Sequence, residues 1–245
     1  MKIIADMHTH TLVSGHAYCT LQENLRAAKE QGLLYMAATE HGPAMPGGPH
    51  LYYFGNVRVW PREFGGVRLI KGVEANVMNI DGELDLPQRY LQRLEYVAVG
   101  LHDECFSPGT QEENTQAIIA AIQNPYVDAI VHPGNPRFPI NFLQVLLAAA
   151  QAGVLVEINN SSLVGSRKGS PERCREIAEL AAKHDIAVVL GSDAHWSGQV
   201  GHLEQALAMA TEAGIPTRNI LNLDAKRIED FLAEQQQKRK RIATY

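Results

Sequence analysis

The sequence predicts an α/β fold: one parallel barrel built of βαβ units. Two observations carry this. Short continuous apolar runs, as expected of parallel strands covered on both faces, alternate with helical stretches along the chain. Seven such runs each end in a residue that can bind a metal or hydrogen-bond a ligand, namely His8, His41, Glu74, His102, His132, Asn159 and Asp193. These residues recur every 27 to 34 positions, about the length of one βαβ unit. In a parallel barrel the C-terminal ends of all strands meet at one face, so seven dispersed residues become one ring.

The first strand is Ile3 to Ala5, followed by Asp6-Met7-His8-Thr9-His10. In an extended chain residues i and i+2 point to one side, so His8 and His10 can aim two imidazoles at one point. A polar stretch from Thr11 to Thr20 holds His16. Thr20 and Glu23 fit a capping box, Leu21, Leu25 and Ala28 supply a helical stripe, and Gly32 stands where a helix-ending glycine belongs. The second strand, Leu33 to Thr39, ends in Glu40-His41-Gly42-Pro43, and a long irregular loop runs from Ala44 to Arg62. The third strand, Val67 to Val73, leads to Glu74. Asp81-Gly82 reads as a turn and Pro87 to Arg93 as a short helix.

The fourth strand, Tyr96 to Gly100, leads to His102, and a helix spans about Asn114 to Gln123. The fifth strand, Ala129 to Val131, ends at His132. A helix from Ile140 to Ala152 precedes the sixth strand, Val154 to Ile158, which ends in Asn159-Asn160-Ser161-Ser162. Ser170-Pro171 opens the next helix, with Ser170 as N-cap and Pro171 first in the helix, and this helix runs to about His184. The seventh strand, Ile186 to Leu190, ends in Gly191-Ser192-Asp193-Ala194-His195. Helices at about His202 to Ala213 and Asp224 to Gln236 close the chain.

At 245 residues the chain suits a single barrel domain with a sizeable core. A net charge of −5 gives no global pull towards a polyanion. Cys19, Cys105 and Cys174 are odd in number and far apart, which argues for a reducing compartment rather than a disulfide framework. The opening carries no secretory pattern and no apolar run is long enough for a membrane span, so a cytoplasmic protein is expected.

His10 and His195 lie two residues after His8 and Asp193, and His16 can reach in from the first loop. Seven of the ten histidines thus fall at or just after strand ends. With Glu74 and Asp193 they make nine candidate ligands, too many for one zinc, which takes about four. Imidazole and carboxylate without cysteine suit zinc, manganese or iron. Glu74 stands centrally and can bridge, so two or three ions are the natural count. His50, His184 and His202 read as structural or surface residues. Asp6 is expected to orient a ligand imidazole from beneath the cluster, with Asn159 as a second supporting residue.

The motifs DMHTH at 6–10, EHGP at 40–43, GVEAN at 72–76, GLH at 100–102, HPGNP at 132–136, EINNSS at 157–162, SRKGS at 166–170 and GSDAH at 191–195 cover nearly the whole chain. With them the sequence resembles the PHP (polymerase and histidinol phosphatase) superfamily, and most of all its YcdX-type branch of trinuclear zinc phosphatases. The resemblance implies a distorted seven-stranded (βα) barrel. It implies that His8, His10, Glu74 and Asp193 hold one ion and His16, His41 and His195 a second. Glu74 would bridge to a third ion held by His102 and His132. It also implies a homo-oligomer, a trimer by analogy. Two departures stand out: Glu40 where the family commonly has Asp, and Ala194 where the branch commonly has Ser.

The expected activity is a metal-dependent phosphomonoesterase on a small-molecule phosphate ester, with a metal-bound hydroxide as nucleophile. Cys19 and Cys105 then read as buried spacers. Arg167 and Lys168, and after them Arg137, are candidates to hold the substrate phosphate. Tyr52, Tyr53, Phe54 and Trp60 are expected to pack the long loop against the barrel. The rival enzymatic reading is a phosphodiesterase or nuclease; the rival of another class is a non-catalytic, metal-dependent binding or regulatory protein. The basic run Lys238-Arg239-Lys240-Arg241 reads as a solvated terminal tail rather than a nucleic-acid track.

Overall fold

Seven parallel strands follow one another around the barrel in the order in which they occur in the chain. The computed structural model describes residues 1–242. Its strands are β1 (Ala5–Asp6), β2 (Tyr35–Ala38), β3 (Glu63–Phe64), β4 (Val67–Asn76), β5 (Tyr96–Gly100), β6 (Ala129–Ile130), β7 (Leu155–Asn159) and β8 (Val188–Gly191). The parallel order is β1-β2-β4-β5-β6-β7-β8, and β3 is a short antiparallel addition to the start of β4. The seam between β8 and β1 draws together near the C-terminal ends, where the Asp193 N–H donates to the His8 carbonyl at 2.8 Å. The result is the nearly closed, distorted seven-stranded barrel that the motifs imply.

Strand alternation separates two apolar layers. Ala5, Tyr35, Ile70, Tyr96, Ala129, Leu155 and Val189, one from each barrel strand, pack together in the interior. Val97, Val99, Ile130, Val156 and Ile158 face the other way, into the layer covered by helices. Both faces are buried, and this is why the strands read as continuous apolar runs.

Among the described residues the helices are α1 (Leu21–Glu30), α2 (Leu51–Asn56), α3 (Gln88–Leu91), α4 (Gln111–Ile122), α5 (Phe142–Ala152), α6 (Asn160–Val164), α7 (Ser170–Lys183), α8 (Glu204–Glu212) and α9 (Ala225–Ile242). Among the described residues no helix is long and apolar enough to cross a membrane. The capping box of α1 is formed: the Glu23 N–H donates to Thr20 Oγ1 at 3.2 Å, and the Thr20 N–H to the Glu23 carboxylate at 2.7 Å. Gly32 follows it with a left-handed φ of 73°. An equivalent box at Thr110 and Glu113 starts α4 three residues before the expected Asn114.

Three local expectations are corrected. The cap of α7 is Gly169, so Ser170 is already the first helical residue, and its buried hydroxyl caps nothing. The long loop contains α2, capped by His50, whose Nδ1 accepts the Tyr52 N–H at 3.2 Å. The basic run is no tail. It forms the last turns of α9, whose Ile228 and Leu232 join the inner layer and plug the barrel's N-terminal end. There Arg239 is buried, donates to the Tyr126 carbonyl at 3.1 Å and pairs with Asp128, just before β6. Burial of one arginine in a row of four depends on which helix face meets the barrel, which a charge count does not show.

Candidate metal centre

All nine candidate ligands converge at the C-terminal mouth of the barrel. Glu74, at the end of β4, is fully buried at the centre. Its Oε2 lies 3.3 Å from both His8 Nε2 and His10 Nε2 and 2.8 Å from His41 Nδ1. Its Oε1 lies 2.7 Å from His132 Nε2 and 3.0 Å from His102 Nε2. One carboxylate thus faces five imidazoles from four barrel segments. Asp193 Oδ1 lies 3.4 Å from His10 Nε2 and 3.6 Å from His8 Nε2. At the exposed edge, His16 Nε2 and His195 Nε2 are 2.9 Å apart. Three sets of donor atoms lie close enough to share an ion: His8-His10-Asp193, His10-His41-His195 and His41-Glu74-His102. His50, His184 and His202 stand apart from this cluster, the first and second at helix ends and the third beside Glu204.

Backbone geometry helps to aim these groups. His132 and Asp193 adopt left-handed φ values of 35° and 55°, uncommon for non-glycine residues and often found where a site fixes a side chain. Gly191 must be glycine. A Cβ there would meet Glu157 Oε1 at 2.1 Å and the His8 Cβ at 2.4 Å.

Glu157 is the residue that sequence reasoning missed. It is buried on β7, where its Oε1 accepts from His8 Nδ1 at 2.7 Å and its Oε2 accepts the His132 N–H at 2.7 Å. Asn159 donates from Nδ2 to Glu157 at 3.1 Å and to Asp193 at 3.3 Å. A charged residue inside the apolar run Val154 to Ile158, two before Asn159, was the available signal. Asp6 takes a different part from the expected one. Its carboxylate accepts the backbone N–H groups of Gly201 at 2.8 Å, Ser192 at 3.0 Å and His8 at 3.3 Å, and touches no imidazole. Ala5 and Met7 face the interior, so the intervening Asp6 points at the seam with the segment after β8.

The electrostatics favour cations. Burial opposes ionisation of Glu74, yet His41, His102 and His8 hold its carboxyl well below the usual range. Burial likewise opposes ionisation of Asp193, and His8 and Arg167 outweigh it. Burial pushes His41 down to about 3. It pushes His132 and His195 down to about 4, helped by Arg167 and His10 respectively. These imidazoles keep lone pairs for a metal at neutral pH. Burial also opposes charge on His8 and His10. There the surrounding carboxylates prevail, holding His8 well above its ordinary value and His10 at about 9. A metal ion would take the place of those protons.

The donor set fits divalent metal ions. His41 Nδ1 and Glu74 Oε2 are buried and face each other without the alignment of a hydrogen bond, and neither buried ring nitrogen of the half-buried His102 has a hydrogen-bond partner among the described residues. Such orphaned donors need another partner, and nitrogen with carboxylate oxygen matches zinc, manganese or iron. The thiols stand aside. Cys19 contacts Ser197, and burial pushes Cys105 up to about 11 and Cys174 up to about 12.

The cations around the mouth differ. Arg167 reaches the cluster, with Nη1 donating to Asp193 Oδ2 at 3.0 Å and to Ser162 Oγ at 3.2 Å. Arg137 is paired with Asp103 at 2.6 Å on the exposed rim, and Lys168 is exposed. In the long loop Phe54 is buried and Tyr53 reaches Glu40, as packing requires, while Tyr52 stays exposed.

The model of the PHP domain matches residues 6–240. This chain belongs to the PHP family. A probable phosphatase of Thermoanaerobacter sp. strain X514 is 50% identical over 239 residues, covering 97% of this chain and 98% of that protein. A probable phosphatase of Acetivibrio thermocellus is 44% identical over 98% of this chain and all of its own length. In three dimensions the PHP barrel here resembles histidinol phosphate phosphatase from Lactococcus lactis, solved with zinc, L-histidinol and phosphate. That likeness has a TM-score of 0.65 at 18% identity, covering 86% of this chain and 94% of the other. At that identity it speaks for the fold alone.

Proposed function

We propose that this PHP protein is a phosphatase, a metal-dependent phosphomonoesterase acting on a small-molecule phosphate ester. The carrying observation is the convergence of seven imidazoles on Glu74 and Asp193 at an open barrel mouth, with Arg167 beside them. Relatives named as probable phosphatases over nearly the whole chain support the same reading. Seven of the nine donors fall in three overlapping sets, with His16 against His195 and His132 against Glu74; this suits three ions, shared as the family resemblance implies, with Glu74 between them and zinc as the expected metal.

Bound divalent ions would supply Lewis acidity, lowering the pKa of water to about 7 and neutralising phosphoryl charge. The protein's own groups do the rest. Glu74 and Asp193 supply the negative charge that holds cations. Glu157 fixes the ring of His8 by accepting the Nδ1–H at its carboxylate, so that His8 Nε2 faces the cluster. Arg167 makes its contacts to Asp193, Ser162, Ser166 and Asn159 through Nη1 alone. Its Nε–Nη2 edge has no partner among the described residues and can address two phosphoryl oxygens at once.

The test is a panel of phosphate monoesters and diesters presented to the metal-replete protein. Monoester turnover that disappears in His8→Ala is expected. Turnover of diesters alone would overturn the monoester reading, and a protein inert on the whole panel would overturn the enzymatic one.

A further inference from the structure

Ser14 touches three of the candidate ligands. Its Oγ lies 3.2 Å from His10 Nδ1 and 3.1 Å from the main-chain nitrogen of His41, and its carbonyl oxygen lies 3.1 Å from His16 Nδ1. It is fully buried, at the end of a short 3-10 turn, Leu12–Ser14.

The direction of each bond follows from what the groups can give. Glu40 Oε2 accepts the Thr11 N–H at 3.0 Å and faces the Ser14 hydroxyl at 2.6 Å. Glu40 Oε1 receives the hydroxyls of Thr11 at 2.6 Å and Tyr53 at 3.4 Å. A carboxylate so surrounded accepts, and a serine hydroxyl has one proton, so that proton goes to Glu40. The lone pairs of Ser14 Oγ remain. One accepts the His41 N–H, which can only donate. The other faces His10 Nδ1 and can be satisfied only if that nitrogen carries hydrogen. The Ser14 carbonyl imposes the same state on His16, because a carbonyl has no proton to give.

We propose that Ser14, oriented by Glu40, is a positioning residue that fixes the Nδ1–H tautomer of His10 and His16. The Nε2 lone pairs of both rings are then left for metal, while the backbone of His41 is held beside them. The inference rests on the reading of these histidines as metal ligands. It gives Glu40 a role despite its departure from the family's Asp: the carboxylate is the acceptor that decides which way the Ser14 proton points.

The zinc-loaded full-length protein, labelled with 15N-histidine, tests this by long-range proton–nitrogen correlation. His10 and His16 should both show a protonated Nδ1 and a metal-bound Nε2. In Ser14→Ala, His16 keeps its carbonyl partner and its tautomer, whereas His10 loses its fixed tautomer, and zinc affinity measured against a competing chelator falls about 10- to 100-fold. His10 protonated at Nε2 in the wild type would overturn the proposal without recourse to any variant, and so would wild-type zinc affinity in Ser14→Ala. If the wild-type protein takes up no zinc, the metal-site reading fails separately. The tautomer is then read in the metal-free protein at alkaline pH, with Nε2–H on His10 again the overturning result.

Discussion

His8 Nδ1 and Glu157 Oε1 lie 2.7 Å apart, both buried, and the other oxygen of the same carboxylate holds the His132 N–H. One side chain on β7 therefore orients a ring carried by the segment after β1 and pins the left-handed backbone of a ring carried after β6. Removing its charge should cost the metal site rather than the barrel. Glu157→Gln is expected to lower metal affinity about 10- to 100-fold, with the far-ultraviolet circular dichroism unchanged. Metal content after dialysis against a graded chelator checks this; wild-type retention would reduce Glu157 to a packing residue.

Asp6→Asn should show the opposite pattern. An amide has one acceptor oxygen, and Asp6 receives three backbone N–H groups across the seam between the β1 end and the segment after β8. A loss of about 1–3 kcal/mol in urea unfolding is expected, with metal affinity less affected than in Glu157→Gln. A variant that loses metal at unchanged stability would restore the imidazole-orienting role expected from the sequence.

Arg239 and Asp128 form the buried pair at the far end of the barrel. Arg239→Ala leaves a buried carboxylate without its partner and should cost about 3–5 kcal/mol. Arg239→Ala combined with Asp128→Ala should cost less than the sum of the two single changes. Strict additivity in a denaturant titration would mean that the pair does not act as one.

Arg167 and Arg137 separate under kinetics. Arg167 sits on Asp193, and its lost charge-assisted bonds to phosphate, about 1.5–3 kcal/mol, convert to a fall of about 10- to 100-fold in kcat/KM for a monoester in Arg167→Ala. Arg137, engaged with Asp103 on the rim, should change kcat/KM less than twofold when replaced by alanine. Equal effects would remove the distinction drawn from their positions.

Chelation should act on stability as well as activity. The cluster gathers like-charged and orphaned donors whose compensation is a bound cation. Metal removal is expected to lower the Tm, and added zinc should restore it in proportion to occupancy. A Tm indifferent to chelator would show that the imidazoles and carboxylates satisfy one another without metal.

The ring of strand-end residues was legible because a parallel barrel turns a recurring spacing into a shared face. Tyr96–Gly100 matched its expected strand residue for residue, and the Thr20-Glu23 box formed as its pattern required. The misses have local causes. Asn160–Val164 is a helix because the Asn159 side chain accepts the Ser162 N–H at 2.8 Å, a cap hidden in a strand-end motif. Asp6 was misread because its carboxylate is taken up by three backbone N–H groups at the seam, two of them from the segment after β8, which its spacing from His8 does not show.

By itself the sequence determined the α/β class, the succession of strands and the identity of the nine candidate ligands. Each is set by local patterning: apolar runs, caps, and polar residues at strand ends. Only the tertiary structure decided that Glu157 rather than Asp6 faces the imidazole of His8, and that Arg239 is buried. Those facts depend on which side chains meet across segments far apart in the chain. Contacts of that kind are fixed by barrel closure and strand register, and neither is written in any one stretch of residues.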